Sequence, residues 1–193
     1  MATVLQKKRK KQILEAASEI FAKEGLFGAE QDSIAKAAEV GKGTLYRYFE
    51  NKNDLYINTI EFQAEKSFRY IDSHINKSEN LDDLLINFIE ATVDYFLKNP
   101  ITFDIIVRSN NTMLFEAVGV VQKVRDKYLS KYYLYFDKAI EEGAVKTFNK
   151  NIILTMLDTC IVSLVYEHKS NSKYSVREIK DTLISIFRTG IKK

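Results

Sequence analysis

The segment from Gly41 to Lys52 concentrates side chains that suit contact with a phosphate backbone and with base edges. It supplies cations, a hydroxyl and flat aromatic rings, while its glycines allow the backbone to approach a partner closely. Leu45 and Phe49, four residues apart, are predicted to face inward and to hold a short helix on its support. The chemistry indicated is DNA binding, and the residues predicted to contact DNA are Lys42, Gly43, Thr44, Tyr46, Arg47, Tyr48 and Lys52.

The residues before this segment predict the helices that must position it. Apolar residues recur at helical spacing from Lys11 to Ala22, and Gly25 is a typical helix-ending glycine. A second short helix has an apolar face of small residues around Ile34, so a neighbouring helix can cross it closely. The order helix, short helix, turn, short helix is that of a helix-turn-helix with one supporting helix in front.

On these residues the chain resembles the tetracycline-repressor (TetR) family of bacterial transcriptional regulators. The matching motifs are Ile13-Leu14-Glu15-Ala16-Ala17, Phe21, Gly25, Ile34-Ala35-Lys36-Ala37-Ala38, Lys42-Gly43-Thr44-Leu45-Tyr46-Arg47-Tyr48-Phe49 and Asn51-Lys52. The resemblance implies an all-α fold of about nine helices, with a helix-turn-helix DNA-binding domain at residues 1–52 and a helical effector-binding and dimerisation domain at residues 53–193. It also implies that Lys42, Thr44, Tyr46 and Tyr48 engage bases or phosphates, with Arg47 as a further contact and Lys52 on the backbone.

Three departures from the family pattern bear on DNA binding. Ala29-Glu30 stands where a Thr-Thr pair is usual, Gly41 replaces a serine, and Glu39 replaces a turn glycine. We expect Asp32 to cap the second helix in place of the missing hydroxyl. We also expect Glu39 to adopt a left-handed backbone conformation, which costs about 1 kcal/mol for a residue with a side chain. Whether these acidic residues weaken DNA binding stays open at this point.

The positive charge of the chain lies on the predicted DNA-binding domain. Residues 1–52 contain ten Lys or Arg against seven Asp or Glu, whereas residues 53–193 contain nineteen of each. The basic run from Lys7 to Lys11 has two interpretations. It is either an arm that lies along phosphates or in a minor groove, or a solvated, disordered tail.

Beyond Lys52 the pattern predicts only helices. A long one, from about Asn53 to Asn76, would span roughly 36 Å and link the two domains. Polar and Pro-containing breaks separate the rest. Two further helices are predicted before residue 112, one from about Leu81 to Lys98 and a short one after Pro100. Three more are predicted from Met113 to Glu142, with a split or kink at Gly119, from Lys150 to His168 and from Val176 to Thr189.

The last two helices carry broad apolar stripes, which we interpret as a homodimer interface. The residues assigned to it are Ile153, Leu157, Cys160, Leu164, Val176, Ile179, Leu183 and Phe187. The family resemblance implies a four-helix bundle formed by these two helices from each subunit. An ordinary core within one chain is the alternative.

Aromatic residues in the middle of the second domain suggest a mostly apolar pocket for an unknown small-molecule effector. The candidate lining residues are Tyr95, Phe103, Arg108, Asn110, Tyr128, Tyr132 and Phe136. Simple core packing is the alternative role for the aromatic members of this set.

Other function classes find little support. His74 and His168 are isolated, Cys160 is alone, and we find no metal-ligand spacing, phosphate loop or nucleophile motif. No apolar stretch approaches the ~20 residues of a membrane span. We therefore predict a cytoplasmic, non-enzymatic, cofactor-free DNA-binding regulator, most simply a repressor released from a palindromic operator by an effector. The alternative is a helical small-molecule binder or protein-interaction dimer that no longer reads DNA specifically.

Overall fold

The computed structural model describes residues 3–111 and 115–192. At residues 108–111 and 115 it describes the backbone but not the side chains. The described part is all-α and contains ten α-helices and a short 3-10 turn, as the sequence predicted for the fold class. Its β content is an isolated bridge between Val145 and Lys192. The helices are α1 Val4–Gly28, α2 Gln31–Ala37, α3 Lys42–Tyr48, α4 Lys52–Ile75, α5 Leu81–Lys98, α6 Pro100–Asn111, α7 Phe115–Leu129, α8 Tyr133–Glu141, α9 Lys150–Asn171 and α10 Val176–Gly190, with the 3-10 turn at Ser130–Tyr132.

The chain forms two compact units that divide it differently from the predicted domains. Unit 1 comprises Met1–Lys66 and Pro100–Arg125, and unit 2 comprises Ser67–Asn99 and Asp126–Lys193. Helix α4 contributes its first part to unit 1 and its last part to unit 2. The functional boundary after residue 52 stays a prediction, because packing units and functional domains need not coincide.

Helix α1 begins earlier than the apolar pattern predicted. Thr3 is its N-cap and forms a capping box with Gln6, which stabilises the helix from Val4 onward. The basic run from Lys7 to Lys11 therefore lies on a helix, and it is neither an arm before the first helix nor a disordered tail. Its contact with phosphates or a minor groove stays a prediction. Gly25 interrupts the helical geometry with φ 71°, a left-handed region that glycine adopts freely.

The core of unit 1 joins α1, α2, α3 and α4. Phe21 meets Tyr56 edge to face with the ring centroids 4.9 Å apart. Leu45 is fully buried and Phe49 is 1% exposed, which confirms that they anchor α3 inward. Buried Ile105 on α6 belongs to the same cluster. Burial of these large apolar side chains is the main favourable contribution to holding the short helices in place.

A buried polar chain joins three helices of unit 1. Gln63 on α4 donates from Nε2 to Ser18 Oγ on α1 at 2.7 Å. The Thr102 hydroxyl on α6 donates to Gln63 Oε1 at 2.6 Å. Ser18 in turn donates to the Leu14 carbonyl. Because all three polar side chains are at most 2% exposed, these hydrogen bonds satisfy groups that water does not reach.

The turn between α2 and α3 adopts the conformation that the sequence predicted. Glu39 has φ 52°, within the left-handed region. The Val40 amide donates to the Ala35 carbonyl at 3.0 Å, and Gln12 Nε2 donates to the Ala38 carbonyl at 2.9 Å. The surrounding hydrogen bonds thus hold Glu39 in a conformation that its side chain disfavours.

Replacing Glu39 by glycine is expected to raise the free energy of unfolding by about 0.5–1 kcal/mol, because glycine adopts this conformation without a steric penalty. Urea denaturation at a fixed protein concentration measures the change. Glu39→Ala is the control, since it removes the carboxylate but keeps the Cβ atom. An equal gain in both variants would show that charge, and not backbone strain, is relieved.

Unit 2 packs α10 against α5 and α9. Ion pairs join α10 and the residues after it to α5. Lys180 Nζ lies 2.6 Å from Asp94 Oδ1, and Arg188 Nε and Lys192 Nζ each lie 2.9 Å from Asp82 Oδ2. The bonds to both cations lower the pKa of the Asp82 carboxyl against the opposing effect of its burial, which is the largest single influence.

The predicted helix from Met113 to Glu142 is divided, but the predicted place of the break, Gly119, is wrong. The 3-10 turn at Ser130–Tyr132 separates α7 from α8, whereas Gly119 lies inside α7. Met113 lies outside the described residues. Tyr132, in the 3-10 turn, is buried, and its hydroxyl donates to Asp72 Oδ1 at 2.8 Å, a tertiary bond that no local spacing reveals.

Candidate nucleic-acid interface

Helix α3 presents a polar outward face on an apolar inward anchor. Tyr46 is 45% exposed and Arg47 is exposed, whereas Thr44 and Tyr48 are half-buried. A Cβ atom added at Gly41 or Gly43 would meet nothing within 4 Å. Packing within the chain therefore does not require glycine at either position, which leaves space for close approach of a partner.

Lys42 begins α3 and pairs with an acidic side chain of α2. Its Nζ lies 2.7 Å from Asp32 Oδ1, with both side chains more than half exposed. The hydrogen bond and the charge of Asp32 raise the pKa of the Lys42 ammonium, so it stays protonated at neutral pH. The prediction that Asp32 caps α2 is wrong: Glu30 occupies the N-cap position without a side-chain capping bond, and Asp32 lies inside the first turn.

Tyr46, the next outward side chain, is also in contact with α2. Its hydroxyl donates to Gln31 Oε1 at 3.3 Å. Sequence reasoning missed Gln31, because contacts between helices do not follow the spacing within one helix. The signal available was its position as the first residue of α2, directly before Asp32.

Lys52 begins α4 and holds the connection between α1 and α2. Its Nζ donates to the Ala29 carbonyl at 3.0 Å and to the Phe27 carbonyl at 3.2 Å. An ammonium group has three donors, so these bonds leave one for a phosphate. Contact with DNA at Lys52 stays a prediction, and the structure adds an internal role.

Replacing Lys52 by methionine is expected to lower the free energy of unfolding by about 1–2 kcal/mol, because two carbonyls lose a charged donor in a half-buried place. Urea denaturation measures this loss. Lys23→Met, at an exposed position of α1, is the control and should change the free energy by less than about 0.5 kcal/mol. Equal stability of the two variants would contradict the internal role.

Lys10 is a second lysine that stabilises the predicted DNA-binding region, residues 1–52. Its Nζ lies 2.9 Å from Asn58 Oδ1 and 5.5 Å from the centroid of the Phe49 ring. A cation over an aromatic face is attracted by the ring electrons. Lys10 therefore joins α1 to the end of α3 and the start of α4, a role that the basic run alone did not indicate.

The predicted effector-binding residues are only partly brought together. Tyr132 and Phe136 line an apolar cavity of about 20 Å³ in unit 2, which is close to the size of one water molecule. Tyr95 is buried on α5 and Tyr128 is half-buried on α7. Phe103 is buried on α6, within unit 1, and the side chains of Arg108 and Asn110 lie outside the described part of the structure.

Tyr132 is the polar member of this cavity lining. Burial raises the pKa of its phenol, and the hydrogen bond to Asp72 adds to the shift, so the hydroxyl remains protonated and donates. Assignment of these residues to an effector site stays a prediction.

The predicted dimer residues fall into two groups. Four are buried within the single chain and therefore pack in its core, and their place in a dimer interface stays a prediction: Leu157, Ile179, Leu183 and Phe187. The other four are half-buried: Ile153, Cys160, Leu164 and Val176. The same two helices also carry exposed apolar side chains, which are 51–58% exposed: Ile152, Met156, Tyr166 and Ile186.

The described residues contain no group of three or more His, Cys, Asp or Glu side chains placed to hold a metal ion. Among the described helices, none is long and apolar enough to cross a membrane.

Comparison with known proteins agrees with this geometry. Residues 13–58, which contain α2 and α3, match the family model for bacterial regulatory proteins of the tetR family. An HTH-type transcriptional regulator of Staphylococcus aureus, SAR2658, is 25% identical over 189 residues, covering 94% of this chain and 93% of its own.

Solved structures share the fold. A TetR family transcription regulator from Marinobacter aquaeolei superposes with a TM-score of 0.79 at 18% identity, covering 97% of both chains. The transcriptional regulator FadR from Bacillus subtilis, solved in complex with stearoyl-CoA, superposes with a TM-score of 0.78 at 20% identity over 94% of this chain and 98% of that one. These chains establish the shared architecture.

Proposed function

Because this chain belongs to the TetR family of bacterial regulatory proteins, and is a helix-turn-helix transcriptional regulator, we propose that it represses transcription from a palindromic operator until a small-molecule effector releases it. The observation that carries the proposal is α3, whose exposed Lys42, Tyr46 and Arg47 stand over the buried Leu45 and Phe49. Polar side chains on a rigidly anchored short helix suit readout in a major groove. The proposal places the protein in the cytoplasm and assigns it no catalytic activity.

The proposed active form is a homodimer joined through α9 and α10. Met156 on α9 and Ile186 on α10 are 52% and 56% exposed, and exposed apolar patches mark interaction sites. A second copy would cover the same patch on both subunits about a two-fold axis. Two α3 helices could then enter successive major grooves about 34–36 Å apart, which matches a palindromic site.

The proposed effector is apolar or planar and binds among the aromatic side chains of unit 2. The FadR relative binds stearoyl-CoA, which makes that compound a reasonable first probe. The small cavity beside Tyr132 would have to enlarge to admit an acyl chain. Helix α4 supports the coupling, since it has residues in both units and begins at Lys52. An effector that prefers one arrangement of the dimer would shift operator affinity.

Selection of bound sequences from a random double-stranded DNA pool tests the operator proposal. We expect the selected sequence to be palindromic, and we expect the protein to bind it at least about 10³-fold more tightly than scrambled DNA. Affinity should fall steeply between two salt concentrations, because phosphate contacts release counterions. No enrichment would overturn the proposal and favour the helical binder that no longer reads DNA, for which the exposed Glu30, Asp32 and Glu39 supply a reason.

A second measurement tests the coupling. Stearoyl-CoA should weaken operator binding, and the operator should weaken stearoyl-CoA binding by the same factor. Free coenzyme A is the control for the acyl chain. Binding of stearoyl-CoA with equal affinity in the presence and absence of operator would contradict the coupling for this probe.

A further inference from the structure

The first turn of α2 contacts two predicted reading side chains of α3. Asp32 Oδ1 lies 2.7 Å from Lys42 Nζ, and the next residue back, Gln31, accepts a hydrogen bond from the Tyr46 hydroxyl at 3.3 Å. These contacts join consecutive residues of one helix to the outward face of the other. The reading side chains are therefore oriented by α2 before DNA arrives.

Neither contact is needed to hold α2 on α3. Ile34 and Leu45 are fully buried, and their apolar contact surface secures the two helices. The Asp32 and Lys42 side chains are 64% and 58% exposed, so water screens their attraction and the pair adds little to stability. The main effect of the Asp32–Lys42 pair is therefore on the position of the Lys42 ammonium group.

Orientation matters more for reading bases than for binding phosphates. A lysine ammonium on a flexible stem can reach a phosphate from many rotamers, whereas contact with a base edge requires one position. Among the described residues, Gln31 Nε2 is buried without a hydrogen-bond partner, whereas Gln31 Oε1 accepts from the Tyr46 hydroxyl. This contact between Gln31 and Tyr46 can orient the tyrosine ring before DNA binds.

Asp32 has a second effect through its charge. An exposed carboxylate beside Lys42 offsets the cation and repels phosphates of any sequence. Repulsion that every sequence feels equally cancels from the ratio of affinities. Discrimination rises because the correct bases engage Lys42 and offset the repulsion, whereas other sequences keep it.

We propose that Gln31 and Asp32 are positioning residues that set operator specificity by holding Tyr46 and Lys42 for base readout. This inference rests on the proposed operator function. The first turn of α2 would then discriminate between DNA sequences. Other cations of residues 1–52 would provide the general affinity for phosphates.

Asp32→Asn tests the charged pair with little change of shape. We expect the ratio of operator to scrambled-DNA affinity to fall about tenfold. Binding to scrambled DNA should strengthen, and its salt dependence should steepen by about 0.9 in the log–log slope as Lys42 gains a phosphate contact. Asp32→Glu, which keeps a carboxylate, should restore most of the ratio. Glu19→Gln, at an exposed position on α1, is the matched loss of one negative charge and should leave the ratio unchanged.

A double-mutant cycle tests Gln31. Gln31→Met and Tyr46→Phe each remove the hydroxyl contact, so each should lower discrimination at the same base pair. The double variant should lose no more than either single variant. Additive losses would show that Gln31 does not act through Tyr46.

The controls separate failure of this inference from failure of the operator proposal. Wild-type protein that selects no sequence overturns the operator proposal and this inference with it. Wild-type protein that discriminates strongly, with Asp32→Asn and Gln31→Met retaining its ratio, overturns the inference alone. Urea denaturation checks that each variant is folded.

Discussion

Replacing Met156 and Ile186 together by glutamate is expected to convert the proposed dimer into a monomer and to lower operator affinity by about 100-fold or more. Both side chains are already more than half exposed in the single chain, so the fold should tolerate the change. In the dimer, however, the substitutions would bury several like charges across the two-fold axis. An unpaired charge is strongly unfavourable away from water.

Sedimentation analysis gives the mass of the variant, and titration with a palindromic operator gives its affinity. Leu134→Glu is the matched control, because Leu134 is an apolar residue of unit 2 that is 58% exposed but lies on α8. It should remain dimeric and bind normally. A dimer that survives the double substitution would move the interface away from the exposed faces of α9 and α10.

Replacing Gln63 by leucine is expected to produce the largest loss of stability among the changes considered, about 2–4 kcal/mol in the free energy of unfolding. Leucine is close in volume, so the loss arises chiefly from hydrogen bonding. The Thr102 hydroxyl would lose the acceptor that lies 2.6 Å away, and Ser18 would lose its donor. Both hydroxyls are in places that water does not reach.

Urea denaturation at fixed protein concentration measures the loss, since dimerisation makes apparent stability depend on concentration. Thr102→Val combined with Gln63→Leu completes the test. Removing both partners should cost less than the sum of the single variants, because no hydroxyl donor of Thr102 is left unsatisfied. Strict additivity, or a loss below about 0.5 kcal/mol for Gln63→Leu, would contradict a cooperative buried chain.

The three acidic residues near the predicted DNA-contacting helix have different physical effects. Glu39 is strained by its backbone conformation, whereas Glu30 begins α2 without a side-chain cap. Asp32 does neither and pairs with Lys42. The sequence grouped them as acidic residues near DNA, but the structure assigns each a separate consequence, and the substitutions proposed above measure the effects of Glu39 and Asp32 separately.

The sequence by itself determined the fold class, the helix-turn-helix and the inward anchors Leu45 and Phe49, because these depend on apolar spacing within one helix and on local turn residues. The left-handed Glu39 followed from the family resemblance, which implies a turn glycine at that position. Only the tertiary structure decided that Lys52 holds carbonyls of the preceding turn, that Leu157 and Leu183 are core residues, and that Gln31 and Asp32 contact the reading side chains. Contacts of this kind join residues far apart in the chain, and their geometry depends on how helices cross, which periodicity does not encode.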